Sequence, residues 1–550
     1  MRFHAVRRAS ACATLVALSL VFSAAGAFAQ GTADSADSSG GENASAGQGR
    51  VLLVLPFDNR TGQPSLEWIR EAAAEILSMR FASAGFQPTS RADRIYALDH
   101  LGLPQGFQPS RASSLKLAQT LDADSIVVGS YTTNGNEIEA EAKLVDVPEL
   151  RMLPAVSAQG EMRDMISVFG TLAWKLTRQL DPKFSGSQEA FAAAGKGMRL
   201  DAFEQYIRGV TEPDQAERLR HLQEAVKLSP DFGPAWMALG REDYNGQQYQ
   251  EAADAFAKVD RNGADGLEAE FYRGLSLMFS GDYVHAEQAF AEVARVLPLA
   301  EVVNNEGVAR SRQGLDGTTL FIQAAATDSN SADYHFNLAV SLKQHGNLQG
   351  ALSELAQCLK LRPNDSEAQS LVEAWKHPAT ATAASGTADP NTSPDPLERI
   401  VRTFDAAAFK QAAAMLDQMN QERLATLTPR EQARTLCTQA KTFLDRGLLL
   451  EAERLYRAAL DADATSPDAH AGLARVSERS GDIDTARKEA HDALELRPSA
   501  DAYLVLAQLD FKAGSLDAAN HEAEEALRLE PANPAAQELM RQIVAKTGKR

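Results

Sequence analysis

The sequence predicts a mainly α-helical protein, in which a small α/β domain precedes two blocks of stacked helical hairpins that form an α-solenoid. Small residues recur at intervals of 34, 33 and 32 residues, and then of 34 and 33. They are Gly240, Gly274, Gly307 and Ala339, followed by Ala440, Ala474 and Ala507. A glycine follows most of them seven residues later, at Gly281, Gly314, Gly346, Gly447, Gly481 and Gly514. A period near 34 residues is typical of stacked helix pairs, which present an extended surface rather than a catalytic pocket.

The N-terminus has the features of a secretory signal peptide over residues 1–29. Basic residues precede an apolar stretch, which ends in the small-residue cleavage pattern Ala27-Phe28-Ala29. We therefore expect export to the periplasm or cell envelope, with cleavage near Ala29 and no transmembrane span in the mature chain. An uncleaved anchor is the alternative, although the stretch is short for the ~20 apolar residues that cross a bilayer.

A flexible leader and a small α/β domain are expected next. Residues 30–49 are small and polar, as in a disordered leader. Residues 50–183 combine apolar runs and alternating stretches with helical periodicity, which indicates a mixed α/β arrangement. We expect strands at residues 50–57, 124–131, 137–147 and near 152–157, and helices at residues 66–86, 111–121 and 162–180.

Residues 50–183 also carry a loose sequence pattern. Leu55-Pro56-Phe57 ends the first apolar run, and Ala123-Asp124 precedes a strand containing Val-Val-Gly. This pattern resembles the small α/β domain of envelope proteins that begins the Tol system propeller protein and occurs in relatives of the curli secretion lipoprotein. The resemblance implies a domain for assembly or partner contact, not an enzyme.

The clearest helical hairpin is residues 332–363, which resembles the tetratricopeptide repeat (TPR). Apolar residues mark its first helix, Gly346 its turn, and Pro363 its end. Two antiparallel helices approach closely where a small residue faces a bulky one, so the repeating Gly or Ala is expected at helix crossings. Glycine at the turn permits a positive φ. The strongest single signature lies around Trp236 and Gly240.

Eight more hairpins or hairpin-like pairs complete the two predicted blocks. The first block is residues 199–373, and residues 374–397 are expected to be a flexible linker because they are rich in Ala, Thr, Pro, Ser and Gly. The second block is residues 398–550, ending in a cap helix. Its first pair, residues 399–431, is irregular, with Phe404, Phe409 and Leu416 as apolar positions.

Charge and motifs bear on the class of partner. The formal net charge of −19 disfavours nucleic acid, because phosphates would be repelled. The sequence contains no nucleophile, metal-ligand or phosphate-loop motif, so we expect no catalytic residue, no metal and no cofactor. His285, His470, His491 and His521 are expected to be surface or packing residues. Cys358 and Cys437 are expected to be buried free thiols, with a disulfide between them as the alternative.

Candidate binding residues are expected on the concave face, which in TPR proteins comes from first-helix positions 2, 5, 6, 9, 12 and 13. Those singled out here are Met237, Arg241, Tyr244, Asn245, Phe271, Tyr272, Met278, Phe279, Asn304, Asn305, Arg312, Phe336, Asn337, Lys343 and Gln344. Asn305 and Asn337 hold position six, where members of this family often hydrogen-bond a peptide backbone. The alternative is that asparagine is simply common there. The aromatic group of Phe271, Tyr272 and Phe279 is either a binding hot spot or packing against the next repeat.

The functional hypothesis is an exported, non-enzymatic scaffold that binds a protein or peptide partner in the cell envelope through its concave face. One alternative is an outer-membrane assembly or secretion accessory that acts through residues 50–183 and associates peripherally with envelope assemblies. Another is an enzyme with its site in residues 50–183, which the missing catalytic motifs oppose.

Overall fold

The computed structural model describes residues 49–104, 110–195, 197–263, 265–376 and 396–547. The predicted signal peptide, nearly all of the leader and most of the predicted linker lie outside the described residues and stay predictions. The described chain forms two compact units. One unit is Pro230–Asp417, and the other combines residues from Ser39–Ser229 and Gln418–Arg550. We call them the first and the second unit.

The second unit begins with a mixed sheet. Its described strands are β1 (Val51–Val54), β2 (Asp58–Asn59), β3 (Gln87–Pro88), β4 (Ser125–Asn134), β5 (Glu137–Asp146), β6 (Arg151–Met152) and β7 (Val156–Glu161). The order along the sheet is β3-β1-β4-β5-β6, while β2 also pairs with β4 and β7 with β5. Pairs among β1 to β4 are parallel, and β5 is antiparallel to β4, β6 and β7. The sheet confirms the predicted α/β region.

Five helices accompany this sheet in the described residues. They are α1 (Ile69–Ser83), α2 (Arg91–His100), α3 (Arg111–Thr120), α4 (Met165–Leu180) and α5 (Gln188–Ala193). The core includes Phe57, whose ring meets that of Phe169 edge to face at 5.7 Å. Gly129 makes room for it, because a Cβ there would lie 2.3 Å from the Phe57 ring. Helix α2 was not predicted, since it buries few residues and begins at a Ser90 cap rather than an apolar stripe.

Helical hairpins fill the first unit. After α6 (Leu200–Thr211) and α7 (Gln215–Leu228) of the second unit, the first unit contains α8 (Gly233–Asn245), α9 (Tyr249–Phe256), α10 (Gly266–Ser280), α11 (Tyr283–Val296), α12 (Ala300–Arg312), α13 (Thr318–Thr327), α14 (Ala332–Gln344), α15 (Leu348–Leu361) and α16 (Ser366–Lys376). A Cβ on Gly274 would lie 2.8 Å from the Phe290 ring of the facing helix, and Gly240 meets Phe256 at the same distance. Ala339 is buried in the cluster that contains Leu355. The predicted small-against-large crossings are therefore present.

Further hairpins follow the long helix α17 (Ala406–Ala425), across which the boundary between the units falls. They are built from α18 (Pro429–Asp445), α19 (Leu449–Ala462), α20 (Pro467–Ser480), α21 (Ile483–Leu496), α22 (Ala500–Ala513), α23 (Leu516–Leu529) and α24 (Pro534–Thr547). Ala440, Ala474 and Ala507 are fully buried. Ala474 and Ala507 pack among further alanines in their clusters, so the helices approach through small residues on both sides.

The turn glycines have the predicted backbone conformation. The φ angles of Gly281, Gly314, Gly346, Gly447, Gly481 and Gly514 are 87°, 76°, 82°, 79°, 97° and 83°. An L side chain rarely adopts this left-handed region, so these turns favour glycine, although Gln247 has a φ of 62° in the turn between α8 and α9. The mainly α fold of stacked hairpins behind a small α/β region is confirmed.

The observed organisation differs from the predicted one at two places. The hairpin α6–α7, predicted to open the first block, belongs to the same unit as the sheet. Residues 398–404, predicted to start a helix pair, are not helical and belong to the first unit. Phe409 is buried in the core of that unit, and a single helix, α17, replaces the expected pair. No helix in the described ranges is long and apolar enough to cross a membrane.

Candidate functional site

A stretch of the chain, residues 398–404, occupies the face formed by the first helices of the hairpins in the first unit. We call this stretch the internal segment, and the face that it occupies the groove. The groove is lined by Phe271 and Tyr272 from α10, Asn304 and Asn305 from α12, and Phe336 and Asn337 from α14. The first helix of each hairpin supplies these side chains. The second helix packs at the small-residue crossing, on the side of the first helix that faces away from the groove.

Three asparagines bind the backbone of the internal segment. Asn337 accepts a hydrogen bond from the Arg399 N–H at 2.6 Å and donates to the Arg399 carbonyl at 2.7 Å. Asn305 repeats this pattern two residues later, accepting from the Val401 N–H at 3.0 Å and donating to its carbonyl at 2.8 Å. Asn304 donates to the Arg399 carbonyl at 3.1 Å. All three are fully buried, so these amides satisfy one another and the segment.

The Arg399 side chain enters an acidic pocket at one end of the groove. Its guanidinium lies 2.7 Å from Asp365, 3.0 Å from Asp333 and 2.9 Å from Glu367. The same guanidinium stands over the Phe336 ring, 3.6 Å from the centroid. A planar cation that both stacks and donates to several carboxylates suits arginine better than lysine.

Aromatic side chains hold the other end of the segment. The Phe404 ring lies 5.6 Å from that of Phe271 and 6.4 Å from that of Tyr272, and the Tyr272 hydroxyl hydrogen-bonds the Phe404 backbone. The Phe409 ring lies 4.0 Å from that of Phe404, so the start of α17 closes this pocket. Between the two ends, the Arg402 guanidinium lies over the Phe279 ring at 4.9 Å.

The residue before Arg399 is also anchored. Glu398 is buried, and its carboxylate accepts a hydrogen bond from the Ser311 hydroxyl and lies 3.2 Å from the Arg312 guanidinium. Arg312 also donates to the Glu398 carbonyl at 3.2 Å. The segment is therefore held by backbone and side-chain contacts along its whole length.

Arg399 shifts the pKa values of the carboxyl groups in the acidic pocket. Hydrogen bonds from Arg399 lower the pKa of Asp365 to about 2, from an ordinary value of 3.8. Burial tends to raise the pKa of Asp333, but bonds from Arg362 and Arg399 outweigh it, and that pKa is lowered. Burial alone would lower the pKa of Arg399, but its carboxylate partners raise it. The carboxylates and the arginine thus each stabilise the ionised form of the other.

The structure brings many of the predicted concave-face residues together around the segment. These are Phe271, Tyr272, Phe279, Asn304, Asn305, Arg312, Phe336 and Asn337, with Tyr244 packed against Tyr272 and Phe279. The aromatic group both packs between repeats and contacts the segment, so neither alternative excludes the other. Whether these residues bind a partner stays a prediction.

Other predicted residues lie elsewhere. Met237 and Met278 are buried in the cores, and Arg241 is ion-paired with Glu268. Asn245, Lys343 and Gln344 are exposed, and no hydrogen bond joins them to the internal segment in the described part of the chain. Met237 and Met278 face inward because their turns of helix pack on neighbouring hairpins. Trp236, a repeat position, donates from its indole to the Pro230 carbonyl at 2.8 Å.

Sequence reasoning missed the acidic pocket and the segment itself. Asp333 holds position two of its repeat, so the position rule that selected Asn337 would also have selected Asp333. Asp365 and Glu367 lie beyond the repeat, at the start of α16. No local signal marks residues 398–404 as a groove occupant, because their extended conformation depends on contacts with residues far earlier in the chain.

The second unit contains a cluster of a histidine and two carboxylates. One cluster in the described residues, His470, Glu489 and Asp492, has ligand-type atoms within 4.8 Å of one another. The ring nitrogens of His470 are engaged by Glu489 at 2.7 Å and by the Ala464 carbonyl at 3.4 Å. Lys488 lies 3.1 Å from Asp492 and 3.2 Å from Glu489, so the cluster is a charge-paired network.

Cys358 and Cys437, which lie in the described part of the chain, are free and buried. Burial raises the pKa of the Cys437 thiol to about 11, and that of Cys358 is also raised. A raised thiol pKa lowers the thiolate fraction at neutral pH, so neither residue has the environment of a reactive nucleophile. The prediction of buried free thiols agrees with this structure.

Matches to family models support the repeat assignment. Residues 332–365 and residues 443–509 match family models described as Tetratricopeptide repeat. Among solved structures, the LpoB C-terminal domain from Salmonella enterica is 23% identical with a TM-score of 0.20, covering 22% of this chain and 87% of that chain. MamA from residue 41 to its end, from Desulfovibrio magneticus RS-1, is 21% identical with a TM-score of 0.28, covering 31% of this chain and 100% of that chain.

A third similar structure is YrrB, described as a TPR protein with an unusual peptide-binding site. It is 17% identical with a TM-score of 0.28, covering 36% of this chain and 98% of that chain. A search of curated proteins gave no match. The resemblance of residues 50–183 to the Tol propeller and curli-type domains stays a prediction. The chain contains tetratricopeptide repeats, which are generally non-enzymatic scaffolds for protein interactions.

Proposed function

We propose that this protein is an exported TPR scaffold that binds a protein or peptide partner in the cell envelope through the groove of its first unit. The observation that carries the proposal is the backbone clamp formed by Asn305 and Asn337. Each amide pairs with both the N–H and the C=O of one residue, two residues apart along the internal segment. This is how a groove holds an extended chain of any sequence.

The clamp is matched to a polar occupant. Asn304, Asn305 and Asn337 are fully buried with the internal segment in place, and an occupant that covered them without hydrogen bonds would cost about 1–3 kcal/mol per amide. A groove that keeps polar groups at this depth requires a polar occupant such as a peptide backbone. Apolar side chains of similar size would stabilise the stacked helices more simply, so the asparagines indicate a binding surface.

Export and the absence of catalysis complete the proposal. The N-terminal sequence supports a cleaved signal peptide, and the acidic net charge of −19 favours a solvated scaffold over a nucleic-acid binder. Cell fractionation tests the location, and N-terminal sequencing of the exported chain should begin at Gln30. Recovery of the full-length, unprocessed chain in the cytoplasm would contradict the export proposal.

Partner capture tests the binding proposal. The full chain and its Asn305→Ala/Asn337→Ala variant are used to recover crosslinked proteins from envelope extract. Asn520→Ala is the matched control, because Asn520 lies in the second unit, where its amide bonds Glu524. We expect the same partner with the wild type and the control, and loss of that partner with the groove variant. Equal recovery by all three chains would refute binding through the groove.

A further inference from the structure

The groove contacts side chains of its occupant as well as the backbone. At one end Asp333, Asp365 and Glu367 receive one guanidinium, which also stacks on Phe336. At the other end, aromatic rings from α10 receive the Phe404 ring. Between the two pockets the clamp fixes the chain direction, because its amides pair with Arg399 and Val401 in that order. The spacing from the arginine to the aromatic residue is therefore five residues.

The acidic pocket is specific in charge and shape. Three carboxylates face Arg399 and Arg362, so the pocket keeps a net negative charge if Arg399 departs, and Asp365 is buried, so water compensates its charge poorly. Lysine would keep the charge but lose the stacking and the forked hydrogen bonds. The pocket thus discriminates between two residues that a surface ion pair would treat alike.

The occupant belongs to the same chain, and it is anchored at both ends. The segment follows α16 by little more than twenty residues and leads directly into α17, so its effective concentration at the groove is that of a tethered ligand. A partner peptide and the internal segment need the same asparagine amides. They cannot occupy the groove together.

We propose that the groove recognises an extended partner peptide with an arginine followed five residues later by an aromatic residue, and that the internal segment is a built-in competitor for this site. This inference rests on the proposed function and adds the class of ligand and the way in which access is controlled. A partner binds only when the internal segment leaves the groove. The partner's apparent affinity is therefore its affinity for the open state multiplied by the fraction of chains in that state.

Anisotropy of a labelled peptide with the sequence of residues 396–406 tests both parts. It is titrated with the wild-type full chain and with the full-chain variant Arg399→Ala/Phe404→Ala, which empties both pockets and keeps the groove intact. Thr403→Ala is the matched control, since it changes an exposed residue of the same segment outside both pockets. We expect the double variant to bind the peptide at least about tenfold more tightly than the wild type, and Thr403→Ala to differ from the wild type by less than about threefold.

Peptide variants then test which side chains the pockets select. Replacing the first arginine by alanine should weaken binding to the opened chain by about 100-fold, and lysine should rescue only part of the loss. Replacing the peptide's threonine by alanine should change the affinity by less than about threefold. The groove variant Asp365→Asn/Glu367→Gln, made in the opened chain, should abolish the preference for arginine. Circular dichroism establishes that each variant is folded, and the milder Arg399→Lys chain should show an intermediate affinity.

Two results would overturn the inference. Equal affinity of the wild-type and opened chains would show that the internal segment does not compete, and equal binding of the arginine and alanine peptides would show that the acidic pocket does not select. Asparagine-dependent partner capture together with either result would leave the proposed function standing. Tight peptide binding without any captured partner would sustain the inference and contradict the function.

Discussion

The asparagine clamp gives a prediction whose size follows from the structure. In Asn337→Ala, the Arg399 N–H loses its acceptor at 2.6 Å, and the Arg399 carbonyl loses its donor at 2.7 Å. A net contribution of about 1 kcal/mol per hydrogen bond gives a loss of about 2 kcal/mol in the docking of the internal segment. The segment should therefore open about 30 times more often.

Hydrogen exchange followed by mass spectrometry measures this opening directly. Peptides covering residues 398–404 should exchange about 30-fold faster in Asn337→Ala, because their amides are protected by the groove and not by a helix. Asn337→Asp keeps an acceptor for the Arg399 N–H but places a buried carboxylate oxygen against the Arg399 carbonyl and Asn304 Oδ1, so its increase should be at least as large. Asn347→Ala is the matched control. Asn347 caps α15 through the Gly350 N–H at 2.9 Å, away from the segment.

The distribution of faster exchange along the chain distinguishes loss of the clamp from general destabilisation. Exchange in the paired helices α10 and α11 should stay close to wild type, since the clamp contributes to docking and not to hairpin stacking. Unchanged exchange at residues 398–404 in Asn337→Ala would refute the clamp. A uniform increase across the first unit, matched by Asn347→Ala, would also refute it, because the effect would then be general destabilisation.

Three further predictions concern stability and pH. Burial and a nearby carboxylate raise the pKa of Glu522 to about 7, against an ordinary 4.5, so its ionisation destabilises the fold as pH rises from 4.5 to 7. Glu522→Gln should therefore raise the free energy of unfolding by about 1 kcal/mol at pH 8, after allowance for partial exposure, and Glu524→Gln should not; denaturant titrations at pH 5 and pH 8 check this. Gly274→Ala places a Cβ 2.8 Å from the Phe290 ring and should cost about 1–3 kcal/mol, partly rescued by Phe290→Leu; thermal unfolding of the single and double variants measures the coupling. Docking of the internal segment should weaken as pH falls from about 4 to about 2, because the lowered pKa of Asp365 makes its bond to the segment a stabilisation that is present above 3.8 and lost below. Exchange at residues 398–404, corrected for intrinsic rates, should rise over that range in the wild type, and an identical rise in Arg399→Ala would contradict the assignment.

The repeat architecture was predictable because its signals are local. A glycine between paired helices must adopt positive φ, and a small residue must stand where two helices cross, so both recur with the period of the hairpin. The structure reproduces both features at Gly281 and Gly274. The strands at residues 51–54 and 125–134 were likewise visible as buried apolar runs. Helix α2 was missed because its sequence has only a weak apolar stripe.

The sequence by itself also placed Asn305 and Asn337 on the face formed by the first helices, since position in the repeat determines which way a side chain points. It did not determine what these amides bind. Residues 398–404 have no strand partner and no helical periodicity of their own, and their extended path is imposed by hydrogen bonds to residues 62 to 96 positions earlier in the chain. Only the tertiary structure could decide this, because a segment without local preference takes the conformation of the surface that satisfies its backbone.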